Sequence, residues 1–295
     1  MNSDIPLKRV TRELPPTPER GTQPLALAEP VRAPVGFGAR RDIGRVRANN
    51  EDQLYAMLTT LPREEDDMLV GLFVVADGMG GHEGGEVASR LAIAAVVRSI
   101  ASDVLLPTLD GAGDASAREA IETALIAANR AVHDAGRLNR SNMGTTCTAA
   151  LLVGRSLTIG HIGDTRAYLI DPAGIRQLTS DHSAVGRLVT LGQISAAQAR
   201  EHPLRSQLYR TVGQLPEVEV DVISERTGEA THLVLVTDGL WDHVDDATIA
   251  ATVRAHNDPA AACTALIGHA NDDGGSDNIS VIVVVLPAPS QNAQP

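Results

Sequence analysis

The chain has 295 residues, enough for one large core, and carries a formal charge of -12 with 43% hydrophobic but only 2% aromatic residues. So acidic a protein with so few rings lacks the basic field and the stacking platforms of a nucleic-acid-binding surface, and it is repelled by anionic membranes. Its two cysteines, Cys147 and Cys263, stand far apart in apolar segments without metal-type spacing, which argues against a disulfide framework and fits a reducing, cytoplasmic compartment.

Residues 1–34 hold seven of the 16 prolines and show no helical or strand period. They read as a disordered tail, either a passive extension or a docking or phosphorylation segment around Thr17-Pro18. The longest apolar run there, Leu25 to Ala28, falls short of a signal-peptide core of roughly 7–15 residues. No stretch of the chain approaches the roughly 18 consecutive apolar residues of a membrane span. A domain over 35–287 and a flexible tail over 288–295 complete the expected organisation.

Within that domain, β-branched runs predict strands over 72–76, 146–153, 157–162, 166–170, 175–178, 218–223, 232–237 and 279–286. Asp171-Pro172-Ala173-Gly174 is a turn between two of them, so a hairpin series and an antiparallel sheet are expected. Residues 86–100 predict an Ala-rich helix, apolar on more than one side and therefore packed between layers. Ser116-Ala117-Arg118-Glu119 is a capping box opening a helix with Ile121, Leu125, Ala128 and Val132 on one face and Gly136 near its end. Ser195-Ala196-Ala197-Gln198 is a second such box, whose helix must end before Pro203. Asp258-Pro259 supplies an N-cap and a first-turn proline for a helix to about residue 270. Strand blocks interrupted by helix pairs point to a layered α+β domain rather than a doubly wound one.

Three aspartates stand at the edges of strongly apolar strands beside residues that permit sharp turns. They are Asp77 in Val75-Ala76-Asp77-Gly78, Asp238 in Val236-Thr237-Asp238-Gly239, and Asp277 in Gly275-Ser276-Asp277-Asn278. Asp164, in Gly163-Asp164-Thr165-Arg166, is a fourth. One Asp-Gly after a strand is an ordinary turn. Four carboxylates that converge would repel one another and destabilise the fold unless cations neutralise them. With oxygen donors alone and no zinc-type His or Cys spacing, the ions expected are Mg²⁺ or Mn²⁺. Two such ions about 3.5–4 Å apart hold a bridging hydroxide and stabilise in-line attack on phosphorus, which makes hydrolysis the natural reaction class. Arg47, just before Glu51 and Asp52, is placed to grip phosphate oxygens bidentately while the two acids order metal-bound waters; a surface turn with a local ion pair is the competing reading.

Taken together, these residues resemble the metal-dependent protein phosphatase family, type 2C, and especially its bacterial members. The resemblance runs in order through Arg47 to Asp52, Asp77-Gly78-Met79-Gly80-Gly81, Met143-Gly144-Thr145-Thr146, Gly160-His161-Ile162-Gly163-Asp164, Thr179-Ser180-Asp181-His182, Thr237-Asp238-Gly239 and Gly275-Ser276-Asp277-Asn278. It implies a four-layer αββα sandwich, two antiparallel sheets flanked by helix pairs, with the metals at one end. By matching position Asp77 bridges both ions, the Gly78 carbonyl binds one, Asp238 and Asp277 complete the other, and Asp164 takes a third, weaker ion. Glu51 acts through water, Asn278 orients Asp277, and Arg47 holds the substrate phosphate. The implied activity is hydrolysis of phosphoserine and phosphothreonine in proteins, opposing a cognate Ser/Thr kinase, by a monomer. A non-catalytic phosphoprotein-binding module is the main alternative; a calcium-binding protein is disfavoured because no D-x-[DN]-x-[DN]-G loop is present.

One position departs from the pattern. Many eukaryotic relatives carry a histidine, proposed as general acid, where this chain has Met79, and a thioether donates no proton. The acid is then a metal-bound water or one of His82, His161 and His182. Residues 182–214 resemble the family's flap, where Arg187, Arg205 and Arg210 are candidates for contacting acidic or phosphorylated substrates.

Overall fold

Alternating β-branched residues build two five-stranded antiparallel sheets. In the computed structural model, which describes residues 35–61, 67–80, 84–110, 116–200 and 202–288 (the side chains of 196 and 197 excepted), the first sheet has the order β1 (Gly36–Asp42), β12 (Ile279–Val285), β11 (His232–Val236), β8 (Arg166–Asp171) and β9 (Gly174–Gln177). The second has the order β10 (Asp221–Arg226), β7 (Ser156–Ile162), β6 (Cys147–Val153), β3 (Met68–Ala76) and β2 (Gln53–Leu61). A two-residue ladder pairs β4 (Gly78–Met79) with β5 (Gly144–Thr145). The tail over 1–34 with Thr17-Pro18, residues 289–295, and Gly81 and His82 lie outside the described residues.

The central strands are apolar throughout because both of their faces are buried. In β3, Phe73 and Val75 point into the space between the sheets, where with Leu152 and Ile159 of their own sheet they meet Leu169, Leu235 and Ile282 of the facing one; Leu72, Val74 and Ala76 point the other way. That outer side is covered by α1 (Gly84–Ile100) and α3 (Ala117–Asn139), joined through a π-helical stretch, Ala101–Leu105, and the short α2 (Leu106–Leu109). On the opposite side α6 (Asp238–Trp241), α7 (Asp246–Ala255) and α8 (Pro259–Asp272) cover Tyr168, Val234, Val236, Val281 and Val283. Each fully buried Val, Leu or Ile in these layers contributes roughly 1.5–3 kcal/mol. The expected αββα arrangement is therefore present. Cys147 and Cys263 are free and sit in the two outer cores, on opposite sides of the sandwich.

Several local expectations are revised. α1 is not sandwiched between layers: its buried residues, including Ala88, Ala92, Ile93, Val96 and Ile100, form one face, and α3 lies beside it. The continuous helical stretch Gly84–Leu109 is long and apolar enough to cross a membrane, with mean hydropathy 1.6, yet that face packs into the sandwich core. α3 continues past Gly136 to Asn139 and is closed by Arg140 in the left-handed region (φ 50°). The strand expected over 218–223 forms over Asp221–Arg226. The capping box at Ser195 forms reciprocally, Gln198 N–H donating to Ser195 Oγ and Ser195 N–H to Gln198 Oε1, and opens α5 (Ala196–Arg200). A further helix, α4 (Ala184–Thr190), capped by Ser183, precedes it in the flap.

Candidate metal centre

Four loop segments bring their carboxylates to one end of the sandwich. Asp77 follows β3, Asp164 lies in the β7–β8 turn, Asp238 opens α6 two residues after β11, and Asp277 stands two residues before β12. With Arg47, Glu51, Gly78, Met79 and Asn278 they line a cavity of about 670 Å³. Gly239 makes the approach between two of these loops possible, since a Cβ there would lie 2.1 Å from the Asn278 carbonyl oxygen.

The backbone around each acid is fixed by hydrogen bonds. Asp77 N–H donates to Thr146 Oγ1 (2.9 Å), and its carbonyl accepts from Thr146 N–H (2.8 Å) and Thr145 Oγ1 (2.7 Å). The contact between Asn278 and Asp277 runs through the backbone: the Asn278 N–H donates to Asp277 Oδ1 at 2.8 Å. Its side chain organises the loop opposite, accepting from Glu51 N–H and donating to the Ile43 and Asn49 carbonyls. Asp52 differs from expectation. It is fully buried, does not line the cavity, and accepts from Thr237 Oγ1 at 2.8 Å, while Thr237 Oγ1 accepts from Ser280 N–H. Asp52 thus braces the roots of the Asp238 and Asp277 loops, whereas Glu51 does face the cavity.

The electrostatics are those of a cluster lacking its counter-charge. Burial, reinforced by neighbouring carboxylates, holds Asp77 and Asp164 well above the usual carboxylate range and raises Asp238 to about 7. Burial also raises Asp52 to about 8. Asp238 Oδ1 is buried without a hydrogen-bond partner among the described residues, an arrangement that suits an oxygen held for a cation. Among the described residues no three acidic, imidazole or thiol side chains close around a single point. A dispersed oxygen-donor set of this kind suits Mg²⁺ or Mn²⁺, which keep several waters and take few ligands from protein. Arg47 Nη2 donates to Asp277 Oδ2 at 2.5 Å while half of the arginine side chain stays exposed. The rest of its donor fork has no protein partner among the described residues.

Two of the three histidines proposed as acids, His161 and His182, stand elsewhere. His161 is fully buried between Thr148 Oγ1 and the Ser180 carbonyl, and burial lowers it to about 4, so it is neutral. His182 accepts from Gly163 N–H through Nδ1 and donates to Asp221 Oδ2 through Nε2. Neither lines the cavity. The flap contributes Gln207, Leu208, Thr211 and Gln214 to the cavity wall, and it is tied down by bridges between Ser183 and Leu208 and between Thr145 and Val212. Arg210 is committed to Asp221 and Glu219 and Arg187 is exposed; Arg205 lines a second cavity of about 310 Å³ behind the flap, together with Arg166, Asp181 and Trp241. That cavity is the more enclosed of the two, but the carboxylate cluster faces the first. Trp241 carries no expectation from the sequence, and Thr145, Thr146 and Thr237 enter it only as members of the ordered motifs, yet each supports an aspartate-bearing loop.

Residues 48–272 match the family model for protein phosphatase 2C. The chain is 36% identical over 250 residues to the serine/threonine protein phosphatase PstP of Mycobacterium tuberculosis, covering 84% of this chain and 44% of that protein, so it spans less than half the length of this relative. It is 32% identical over 251 residues to the serine/threonine phosphatase stp of Listeria innocua, covering 83% of this chain and 93% of that one. Among solved structures, the Mycobacterium tuberculosis phosphatase PstP/Ppp superposes with a TM-score of 0.72 at 34% identity, over 85% of this chain and 98% of the other. The catalytic domain of PstP in complex with two manganese ions gives 0.70 at 33% identity, over 85% and 97%. With the sandwich, the ordered motifs and a family model matched over well more than half its length, the chain belongs to the protein phosphatase 2C family.

Proposed function

We propose that this chain is a metal-dependent protein phosphatase that hydrolyses phosphoserine and phosphothreonine in proteins. The observation that carries the reading is the buried cluster of Asp77, Asp164 and Asp238, held above the ordinary carboxylate range, with an orphaned Asp238 oxygen and with Arg47 on the same cavity wall. Asp77 and the Gly78 carbonyl, with Asp238 and Asp277, are the residues that would hold two Mn²⁺ or Mg²⁺ ions, and Asp164 would hold a third, weaker one. When bound, the ions neutralise the cluster and supply Lewis-acid activation of water and of the phosphoryl group. Arg47 orients the phosphate: its unpartnered donors match two phosphate oxygens, and its contact with Asp277 sets the fork at the cavity wall. Glu51 accepts hydrogen bonds from water at the same wall. Neither His161 nor His182 lines the cavity, so of the candidates whose place is described cavity water is the proton source for the leaving alkoxide.

The substrate is a phosphoprotein, and a Ser/Thr kinase must supply it. The deciding measurement is release of phosphate from a phosphothreonine peptide with Mn²⁺ added and then removed by a chelator. Turnover that follows the metal, and that Asp77→Asn abolishes while circular dichroism and cooperative melting are retained, supports the enzyme. Absence of metal-dependent turnover by folded protein would leave a phosphoprotein-binding module.

A further inference from the structure

The turn that carries Asp164 is gripped from both sides by residues that never reach the cavity. On one side His182 Nδ1 accepts from Gly163 N–H at 3.0 Å, and His182 N–H donates to the Gly163 carbonyl at 2.7 Å. On the other, Trp241 Nε1–H donates to the Asp164 carbonyl at 3.0 Å in a buried contact. The two grips are joined to each other. The Arg166 guanidinium lies 3.6 Å from the Trp241 ring centroid and is bidentate to Asp181, at 3.0 and 2.6 Å, and Asp181 immediately precedes His182. The turn itself has no slack, because Gly163 has φ 111° and a Cβ there would sit 2.5 Å from Thr146 Cβ. A ring of contacts thus runs from the root of the flap, through Arg166 and Trp241, to the peptide that aims the Asp164 carboxylate.

We propose that Trp241 and His182 are positioning residues for the cation site at Asp164, fixing the backbone on either side of the Gly163–Asp164 peptide and linking that site to the root of the flap. This rests on the reading of Asp164 as a ligand of a third, weaker ion. Among the described residues the indole N–H has no other acceptor and the imidazole is the only side chain that holds the Gly163 N–H, while the Gly163 carbonyl is held separately by the His182 backbone N–H. Asp77 and Asp277 are held independently, by Thr145 and Thr146 and by Asn278, whereas Asp238 shares α6 with Trp241, so the substitution used there must keep the ring.

The test is calorimetric titration of Mn²⁺ into the chelator-stripped full-length protein. Trp241→Phe keeps the ring under Arg166 and deletes only the donor; His182→Leu deletes the acceptor; His182→Asn restores an oxygen near the place of Nδ1. Asp164→Ala is expected to remove the weakest binding step. Trp241→Phe and His182→Leu are expected to weaken that step alone, by roughly five- to tenfold for one lost hydrogen bond, and His182→Asn to recover most of it. A variant that merely destabilised the fold would weaken all steps together and lower the melting temperature in saturating Mn²⁺. If Asp164→Ala leaves every step in place, the ligand reading of Asp164 falls and this proposal with it. If the Asp164-dependent step is present but keeps its affinity within twofold in both Trp241→Phe and His182→Leu, the positioning role alone is overturned.

Discussion

Replacing Asp238 by asparagine should act in opposite directions with and without metal. In the ion-free protein the Asp238 carboxyl titrates at about 7 against an ordinary 3.8, a difference of about three pH units. At 1.36 kcal/mol per unit that sets a ceiling of about 4 kcal/mol of destabilisation when the group is charged. Asp238 retains some contact with the open cavity, where water screens its charge, so about half of that, on the order of 2 kcal/mol, is the realistic figure. Because the folded value lies above the unfolded one, the folded protein holds the extra proton between about pH 4 and 7. Its stability therefore falls as pH rises through that window. Asp238→Asn lacks this decline. In excess chelator the variant should match the wild type near pH 4 and exceed it at pH 8, by about 4–8 °C in melting temperature for a domain of this size. With saturating Mn²⁺ the order should reverse, because only the wild type gains the linkage stabilisation of bound ions. Melting curves at pH 4, 6 and 8, in chelator and in Mn²⁺, decide the matter. An asparagine variant that is no more stable at pH 8 in chelator, or whose advantage does not change with pH, would refute the account of the cluster as an uncompensated buried charge.

Other substitutions separate the parts of the site. Arg47→Ala should raise KM for a phosphothreonine peptide by roughly ten- to a hundredfold, the worth of a charge-assisted pair of hydrogen bonds, with kcat less affected; an unchanged KM removes Arg47 from phosphate binding. Gly239→Ala drives a Cβ to 2.1 Å from the Asn278 carbonyl and should lower stability in urea denaturation by about 1–3 kcal/mol while weakening Mn²⁺ binding. Asn129 is almost fully buried; it accepts from Gly213 N–H and donates to the Leu215 and Pro216 carbonyls at the far end of the flap. Asn129→Ala should lower stability by about 2–3 kcal/mol and speed protease cleavage near residues 213–216, with the tight Mn²⁺ steps unchanged.

The strands that carry the acids were legible because they are buried on both faces and rich in valine, isoleucine and leucine, and their ends were marked by an Asp beside Gly or Asn. β1 and β2 were not, for a physical reason. Both are edge strands paired on one side only: Gly36–Asp42 mixes exposed and half-buried positions without a continuous apolar run, and Gln53–Leu61, although it holds Leu54 to Leu58, is half-buried over most of its length and poor in β-branched residues. α7 was passed over although Asp245 caps it by accepting from Thr248 N–H, since a lone Asp before a short helix resembles a turn. At the site, the acids could be named from sequence but their depth could not. Glu51 and Asp52 are neighbours in the chain, yet one faces the cavity and the other points beneath it to Thr237, an alternation fixed only when β2 begins. His182 read as a candidate acid and Arg210 as a candidate substrate contact, and both are instead consumed by Gly163, Asp221 and Glu219, contacts between positions 9 to 39 residues apart that no local pattern announces.

The carboxylates do not belong to one sheet. Asp77 hangs from β3, while Asp238 and Asp277 hang from β11 and β12 of the facing sheet. The interval between them is therefore set by what fills the gap between the sheets, chiefly Phe73, Leu152, Ile159, Leu235 and Ile282. Those side chains act as a gauge block: trimming one, even several residues from any ligand, lets the sheets settle and changes the spacing offered to the ions. Magnesium, which demands short and regular oxygen contacts, should feel such a change sooner than a more tolerant ion. Selectivity among divalent cations would then be inherited in part from the packing of hydrocarbon, and drift in the core would register first as a change of metal preference rather than as a loss of fold.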